Sequence, residues 1–285
     1  MASLLRTSLF RFVPYDPSLF RGTATHYVRG RPAYSRELGA TLEAELSLDG
    51  TGRLLDAGCG PGVLVVQLAP HFAEAVGLDP DADMLEQAAA RAAAAGIANV
   101  RWVHAVAEDI GRLGLGTFRL VTFGQSFHWT DRERVAEMVY ELLEPGGALA
   151  VIDHAHAGRP EPPAPEHPPI PHGAIRALIA SYLGERQRAG QGFAPERPER
   201  NQDAIARTRF GRPKQVFARG REDVVQDAEG VLSNYLSTSF CAPHLFGDRL
   251  AAFEADARAA LAASSPTGLF WDWPGDTEVL VARKG

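Results

Sequence analysis

The sequence predicts an α/β fold built on a doubly wound, mostly parallel sheet. Three observations support this prediction. Strand-like and helix-like segments alternate from residue 53 to residue 153, a glycine-rich loop follows the first strand, and an acidic residue ends the second strand. Alternation of this kind is typical of parallel sheets with right-handed crossovers. In such sheets, ligands bind at the carboxyl ends of the strands.

The alternating region contains predicted strands over residues 53–57, 75–79, 100–105, 118–123 and 148–153. Predicted helices connect them over residues 63–71, 84–95 and 132–143. Asp81 can cap the second of these helices, and Gly96 can end it in a left-handed conformation. The run Glu144-Pro145-Gly146-Gly147 is expected to end the third helix.

Beyond residue 153 the alternation stops. Seven prolines lie within residues 159–171, which excludes a helix or a central strand there. A stiff linker and a flap over the site are both compatible with this run. Helical patterns return over residues 174–188 and 246–262, and strand-like runs occur at residues 215–218 and 278–282.

We therefore predict three parts of the chain. Residues 1–35 form an N-terminal lid segment, and residues 36–154 together with 211–285 form the catalytic domain. Residues 155–210 form a proline-rich linker and a helical cap that contributes to the substrate pocket. The first residues, 1–13, contain arginines and no acid, as organelle transit peptides do, but we expect a retained and ordered segment.

Composition and charge restrict the function classes. The net charge of the 285-residue chain is −6, whereas proteins that bind RNA or DNA usually present a basic face. Two cysteines are too few for a disulfide framework and favour a reducing, cytoplasmic compartment. No apolar run approaches the ~20 residues that span a bilayer. We expect a small-molecule substrate, no nucleic-acid or membrane partner, and either a monomer or a homodimer.

The most informative motif is Asp56-Ala57-Gly58-Cys59-Gly60-Pro61-Gly62, directly after the first strand. Glycines let the backbone approach a ligand closely, and the following helix presents free amides. A dinucleotide site would need a third glycine where Val63 stands, and the lysine of a phosphate-binding P-loop is missing. The carboxylate of Asp56 suits a ligand with an ammonium group better than a pyrophosphate.

This motif resembles the D-x-G-x-G-x-G signature of class I S-adenosylmethionine-dependent methyltransferases, and the surrounding chain is similar to a type 11-like, small-molecule subgroup with an "HW" motif. The resemblance implies a seven-stranded, Rossmann-like sheet with a helical cap. It also implies methyl transfer from S-adenosylmethionine to oxygen, nitrogen or carbon of a small molecule such as a secondary metabolite. The donor-site residues it implies are Tyr27, Arg31, Asp56, Gly58, Cys59, Gly60, Gly62, Asp79, Met84, Ala107, Glu108, Gln125 and Phe127.

Several of these residues have a specific expected role in the family. Asp79 ends the second strand, where an acid accepts both ribose hydroxyls, and Met84 is expected against the adenine. Ala107-Glu108-Asp109 resembles a segment that contacts the adenine, although Val106 stands where relatives often have an acid. In the lead-in segment, Tyr27 and Arg31 are placed to hold the carboxylate of the donor.

On the substrate side, His128 and Trp129 follow the fourth strand, and His154 follows the fifth. His128 has a side chain suited to a general base, and a role in ordering its loop is the alternative. Trp129 fits packing or substrate contact. Asp153, His154 and His156 are too few to predict a metal site, so none is predicted.

Other functions remain open at this point. A tRNA or protein methyltransferase would share the same donor motif. An enzyme of this fold that binds S-adenosylmethionine but catalyses cyclisation or another non-methylating step would do so too, as would a donor-binding scaffold. The acceptor atom and the pathway are not readable from the motifs.

Overall fold

The computed structural model describes residues 16–155, 166–190, 192–194, 199–220 and 224–285. Its strands are β1 Arg53–Ala57, β2 Glu74–Asp79, β3 Val100–His104, β4 Phe118–Gly124, β5 Leu143–Ala155, β6 Arg188–Ala189, β7 Gly192–Phe193, β8 Lys214–Ala218, β9 Val224–Asp227, β10 Leu269–Asp272 and β11 Asp276–Arg283. Its helices are α1 Ala24–Gly30, α2 Leu38–Leu46, α3 Val63–Leu68, α4 Ala82–Ala94, α5 Arg132–Leu142, α6 His172–Leu183, α7 Asn201–Ala206, α8 Ala228–Leu236 and α9 Leu250–Ser264.

The main sheet has seven strands in the order β3-β2-β1-β4-β5-β11-β8. Neighbouring strands among β1 to β5 pair in parallel, and β11 pairs antiparallel to both β5 and β8. The order reverses between β1 and β4, which is the switch point where ligands of open α/β sheets bind. The predicted doubly wound, mostly parallel sheet is confirmed.

Each face of the sheet supports its own apolar core. Because side chains alternate along a strand, Leu55 and Val121 face one core while Leu54 and Leu120 face the other. All four side chains are fully buried. Strands buried on both faces read as continuous apolar runs, which is the pattern that predicted them.

Capping side chains and glycines mark the ends of helices in the alternating region. At the start of α4, the Asp81 carboxylate accepts hydrogen bonds from the amides of Asp83 and Met84, at 2.9 and 3.3 Å. Gly96, with φ of +68°, follows its end. The run 144–147 does end α5, but it lies inside β5, where the β4–β5 register shifts between Phe118 and Leu120.

A third core lies in the cap and joins α6, α8, α9 and β10. Ile170, within the proline-rich run, is buried there, and Pro168 accepts a hydrogen bond from the Trp271 amide at 2.9 Å. The rest of that run, 159–165, lies outside the described residues. The predicted helix 174–188 ends earlier, at Leu183, because Gly184 leaves the helical region with φ of +90°.

The cap core crosses the predicted domain boundaries. The predicted catalytic domain includes residues 211–285, and β8 and β11 complete its sheet. Between them, α8 and α9 pack in the cap core with α6. No helix in the described ranges is long and apolar enough to cross a membrane.

The predicted lid segment contains α1, which packs against α8. Gly30, at the end of α1, is buried so closely that a Cβ there would overlap the backbone nitrogen of Asn234. Residues 1–15, which include the stretch compared with a transit peptide, lie outside the described residues. The contact holds the described part of the lid over the carboxyl edge of the sheet.

Candidate functional site

A cavity opens at the carboxyl ends of β1, β2 and β4. Its walls come from the glycine loop after β1, the β2–α4 turn, the chain after β3, the β4–α5 loop and the lid. The lining residues are Phe20, Tyr27, Ala57, Gly58, Gly60, Asp79, Pro80, Asp81, Met84, Val106, Ala107, Glu108, Gly124, Gln125, Ser126, Trp129 and Thr130. The cavity therefore lies at the switch point of the sheet.

The glycine loop forms the floor of the cavity in a left-handed backbone conformation. Gly58 and Gly60 have φ of +66° and +51°. A Cβ at Gly58 would lie 2.6 Å from the Cβ of Ser126, whereas a Cβ at Gly60 would meet no atom within 4 Å. Gly60 thus leaves open space on the cavity side, and the backbone can approach a ligand there.

Asp79 connects the glycine loop to the next turn. Its Oδ2 accepts a hydrogen bond from the Gly60 amide at 2.8 Å, and its Oδ1 accepts one from the Asp81 amide at 2.9 Å. Burial raises the pKa of Asp79 to about 6, although the two amide hydrogen bonds oppose that rise. Asp81, not Asp79, caps α4, so the Asp79 carboxylate remains available to a ligand in the cavity.

Asp56 lies beneath the floor, at the end of β1, and is 1% exposed. Its Oδ1 accepts a hydrogen bond from the Thr122 hydroxyl at 2.6 Å. Burial raises the pKa of Asp56 to about 7, and the neighbouring Asp79 charge adds to the rise. A cationic group in the cavity would stabilise the charged form of this carboxylate.

Part of the cavity wall is apolar. Met84, Val106 and Ala107 line it, and the side chain of Glu108 accepts a hydrogen bond from the Asp131 amide at 3.0 Å. Glu108, which also lines the cavity, therefore braces the start of α5. An apolar wall suits an aromatic base.

Aromatic side chains from the lid close the cavity from above. The Phe20 ring packs edge-on against Trp129, with centroids 5.9 Å apart. Tyr27 also lines the cavity, and the Arg31 guanidinium lies 5.1 Å from the centre of its ring. Arg31 donates a hydrogen bond to the Ser237 carbonyl at 3.4 Å, while its buried Nε has no hydrogen-bond partner among the described residues.

The β4–α5 loop carries His128 beside the cavity. His128 is exposed as a residue, and its ring tilts against Trp129, with centroids 4.7 Å apart. Desolvation of the ring by neighbouring side chains lowers the pKa of His128 to about 4, and repulsion from Arg132 and Arg31 adds to this lowering. His128 is therefore neutral at pH 7 and lies in a positive electrostatic environment.

The sequence-predicted residues divide into two groups. Tyr27, Gly58, Gly60, Asp79, Met84, Ala107, Glu108, Gln125 and Trp129 line the cavity. Arg31, Asp56, Cys59, Gly62, Phe127, His128 and His154 do not line it. Phe127 packs fully buried in the core, and burial raises the pKa of the Cys59 thiol, so that thiol stays protonated.

His154 and its neighbours form a second polar group at the end of β5. The Tyr34 ring stacks on His154 with centroids 5.0 Å apart. Burial raises the pKa of Asp153 to about 6, with Glu278 adding to the rise, and Asn201 donates a hydrogen bond to it at 3.4 Å. Within the described ranges, no group of three or more histidine, cysteine, aspartate or glutamate side chains could hold a metal ion.

Sequence reasoning did not name Phe20 or Ser126 as site residues. Phe20 lies on a lid whose docking depends on contacts with distant parts of the chain. Ser126 anchors the loop by donating a hydrogen bond to the Ala57 carbonyl at 2.8 Å. Gln125 was expected, and its φ of +51° is a further sign of a constrained site, since residues with side chains rarely adopt it.

The arginines of residues 200–209 are engaged with acids. Arg200 pairs with Asp203, Arg207 with Glu133 and Glu199, and Arg209 with Glu137 and Glu141. The charges of this arginine cluster are therefore balanced within the protein.

A family model described as a methyltransferase domain matches residues 54–147. The "Probable S-adenosylmethionine-dependent methyltransferase CRG1" of Saccharomyces cerevisiae is 26% identical over 58% of this chain and 57% of its own length. The trans-aconitate 2-methyltransferase of Deinococcus radiodurans is 37% identical over 37% of this chain and 40% of its own length.

A third relative is the tRNA 5-carboxymethoxyuridine methyltransferase of Escherichia coli. It is 28% identical over 35% of this chain and 39% of its own length. The chain thus spans about half the length, or less, of these curated relatives. The shared region contains the glycine loop, Asp79 and the β4–α5 loop, whereas the cap lies beyond the matched domain model.

Proposed function

Residues 54–147 are a methyltransferase domain of the class I, S-adenosylmethionine-dependent family, and from this premise we propose that the protein methylates a small carboxylic acid. The observation that carries the proposal is the cavity at the switch point, with Gly60 and Asp79 on its floor and Arg31 and His128 beside it. The family implies S-adenosylmethionine as the methyl donor.

The residues of the cavity fit this donor. Two buried carboxylates, Asp56 and Asp79, lie below and beside a glycine loop that leaves open space for a ligand. Asp56 matches the ammonium group of the donor's methionine part, and Asp79 matches its ribose hydroxyls. The apolar wall with Met84 and Val106 matches its adenine.

The donor supplies a methyl group already activated by a sulfonium. The protein's contribution is positioning, which can account for much of the acceleration of such a transfer. Asp79 and the glycine loop orient the bound donor through groups fixed by β1 and β2. Phe20, Tyr27 and Trp129 cover the cavity and keep water away from the reacting atoms.

The charge beside the cavity supports an anionic acceptor. Arg132 is paired with Glu199 at 2.7 Å, whereas no acidic partner of Arg31 lies among the described residues. A guanidinium with a buried, unpartnered N–H suits a carboxylate. The names of two relatives give acceptors that carry a carboxyl group, trans-aconitate and a carboxymethoxyuridine.

A carboxylate acceptor also agrees with the chemistry of His128. With its pKa lowered to about 4, His128 is a weak proton acceptor at neutral pH. A carboxylate carries no proton at pH 7 and needs no base. We therefore assign His128 a role in contacting and orienting the acceptor. At saturating donor and acceptor, kcat is expected to stay flat from pH 6 to pH 9, whereas a base-dependent reaction would rise with pH.

Replacing Arg31 tests this proposal. Arg31→Gln is expected to raise the KM for an accepted carboxylic acid at least about tenfold, because one charge-assisted hydrogen bond is lost. The Kd for S-adenosylmethionine should change less than about twofold. Arg36→Gln, at an exposed arginine nearby, is the matched control.

The rival role for Arg31, binding the donor's own carboxylate, predicts the reverse outcome. In that case Arg31→Gln would weaken donor binding and leave the acceptor KM unchanged.

A tRNA acceptor is disfavoured by the net charge of −6 and by the paired arginines of residues 200–209. Cyclisation, or another non-methylating step, would give a product that lacks the donor's methyl group.

A further inference from the structure

A second cavity lies in the cap at the carboxyl end of α6. We call it the arginine cavity, because Arg176, Arg186 and Arg188 line it together with Gln187, Phe240 and one acid, Glu185. No lining residue is shared with the cavity at the switch point. A cationic cavity is unexpected in a chain whose net charge is −6.

The arginines are held on a defined element. Arg188 faces Phe193 across the short β6–β7 pair, and both Arg186 and Arg188 lie over the Phe193 ring, at 4.4 and 5.1 Å from its centre. The Gly190 amide donates to the Ser239 carbonyl at 3.3 Å, and the Ala194 amide to the Gln187 carbonyl at 3.0 Å. The pair is thereby tied to the chain after α8.

Within the part of the chain that the structure describes, none of these three arginines forms an ion pair with a carboxylate. Arg207, Arg209 and Arg258 by contrast are each paired with two acids. The Nε of Arg188 is buried and has no hydrogen-bond partner in the described ranges. A buried, unpartnered donor is costly, and two guanidiniums over one ring repel each other, so both features favour an oxyanion between them.

We propose that the arginine cavity binds a small organic oxyanion, a carboxylate or a phosphate ester with an apolar body. A guanidinium matches either oxyanion through two parallel hydrogen bonds. Ile179, Leu183 and Phe240 supply apolar wall for the rest of the molecule. This site shares no lining residue with the cavity at the switch point, and the proposal does not rest on methyl transfer.

Calorimetric titration with phenyl phosphate and with benzoate tests the site, and the tighter of the two identifies the oxyanion. The full chain is saturated with S-adenosylhomocysteine so that the donor cavity is filled. Inorganic phosphate and acetate, which lack the apolar body, should bind more weakly than their aromatic counterparts. In the Arg186→Gln/Arg188→Gln variant, the Kd for the tighter-binding probe is expected to rise at least about tenfold.

Arg101→Gln/Arg112→Gln removes the same charge at two arginines far from the cavity and should leave the Kd within about twofold of the wild type. Arg186→Lys/Arg188→Lys keeps the two charges without the planar guanidinium groups, so its Kd should lie between those of the wild type and the glutamine variant. If the glutamine variant misfolds, the lysine variant still tests the proposal. Failure of both aromatic probes to bind to the saturated protein, or an unchanged Kd in the glutamine variant, would overturn the proposal.

Discussion

At the scale of single residues, the site is built from groups that are unfavourable for the free protein. Asp56 is a carboxylate buried under the cavity floor, where the Thr122 hydroxyl donates a hydrogen bond to it. Gln125 holds a left-handed backbone conformation. Such features persist when the surrounding structure and a ligand compensate for them.

Asp56 makes a specific prediction about stability and pH. Its folded-state pKa of about 7 lies above the ordinary aspartate value of 3.8, so the folded protein binds an extra proton between these values. This contribution to stability is therefore lost as pH rises from about 4 to about 7, by up to roughly 4 kcal/mol. Asp56→Asn should be more stable than wild type in urea unfolding at pH 8.

The same comparison at pH 4 should show the two proteins nearly equal. In addition, the variant should lose binding of S-adenosylmethionine at every pH, because the neutral amide leaves no negative charge beneath the cavity floor to attract the ammonium group. An Asp56→Asn protein that is equally destabilised at both pH values would show that the acid is structural.

Replacing Gly60 by alanine distinguishes an effect on stability from an effect on donor binding. Alanine at Gly60 and at Gly96 faces the same backbone strain, since φ is +51° and +68°, and meets no atom within 4 Å at either position. Both variants should lose about 1–2 kcal/mol of stability. Only Gly60→Ala fills space inside the cavity, so it alone should weaken donor binding, by at least about tenfold.

Equilibrium dialysis with S-adenosylhomocysteine measures the difference between these variants directly. Equal donor affinity in Gly60→Ala and Gly96→Ala would place the ligand elsewhere.

At the scale of elements, sequence prediction succeeded where the signal was local. The strand at residues 53–57 and the glycine loop after it were placed correctly, because apolar runs and glycines report on their own backbone. The cap was less predictable. Its core joins Ile170, Val231 and Phe270, which are distant in sequence, and α8 has no local signal that separates it from the catalytic domain.

The lid helix α1 tests how the elements cooperate. Gly30→Ala forces a Cβ against the backbone of α8, so α1 should move away from it. The donor should then bind more weakly, because Phe20 and Tyr27 no longer cover the cavity. Hydrogen exchange over residues 24–34 should speed up, while the strands of the sheet keep their protection.

Gly173→Ala is the matched control for this lid variant. Gly173 lies in α6, meets no atom within 4 Å, and should tolerate alanine with a small gain in stability. Unchanged donor affinity in Gly30→Ala would mean that the lid does not form part of the donor site.

At the scale of the whole molecule, sequence motifs predict the residues of the donor side but not the arrangement of the acceptor side. The glycine loop and Asp79 meet in one cavity because adjacent parallel strands end at the same edge. The positions of Arg31 and His128 relative to each other depend on how the lid packs on the cap, which no short motif encodes. The proposed carboxylate acceptor is therefore supported by charge and burial, not by a motif.

The most direct test of the account is transfer of an isotopically labelled methyl group. The full chain is incubated with S-adenosylmethionine labelled in its methyl group and with a panel of small di- and tricarboxylic acids that includes trans-aconitate, and products are identified by mass spectrometry. The account predicts a methyl ester that carries the label and disappears in Asp79→Ala. A turnover product without the label, or no labelled ester from any acid although the donor binds, would contradict it.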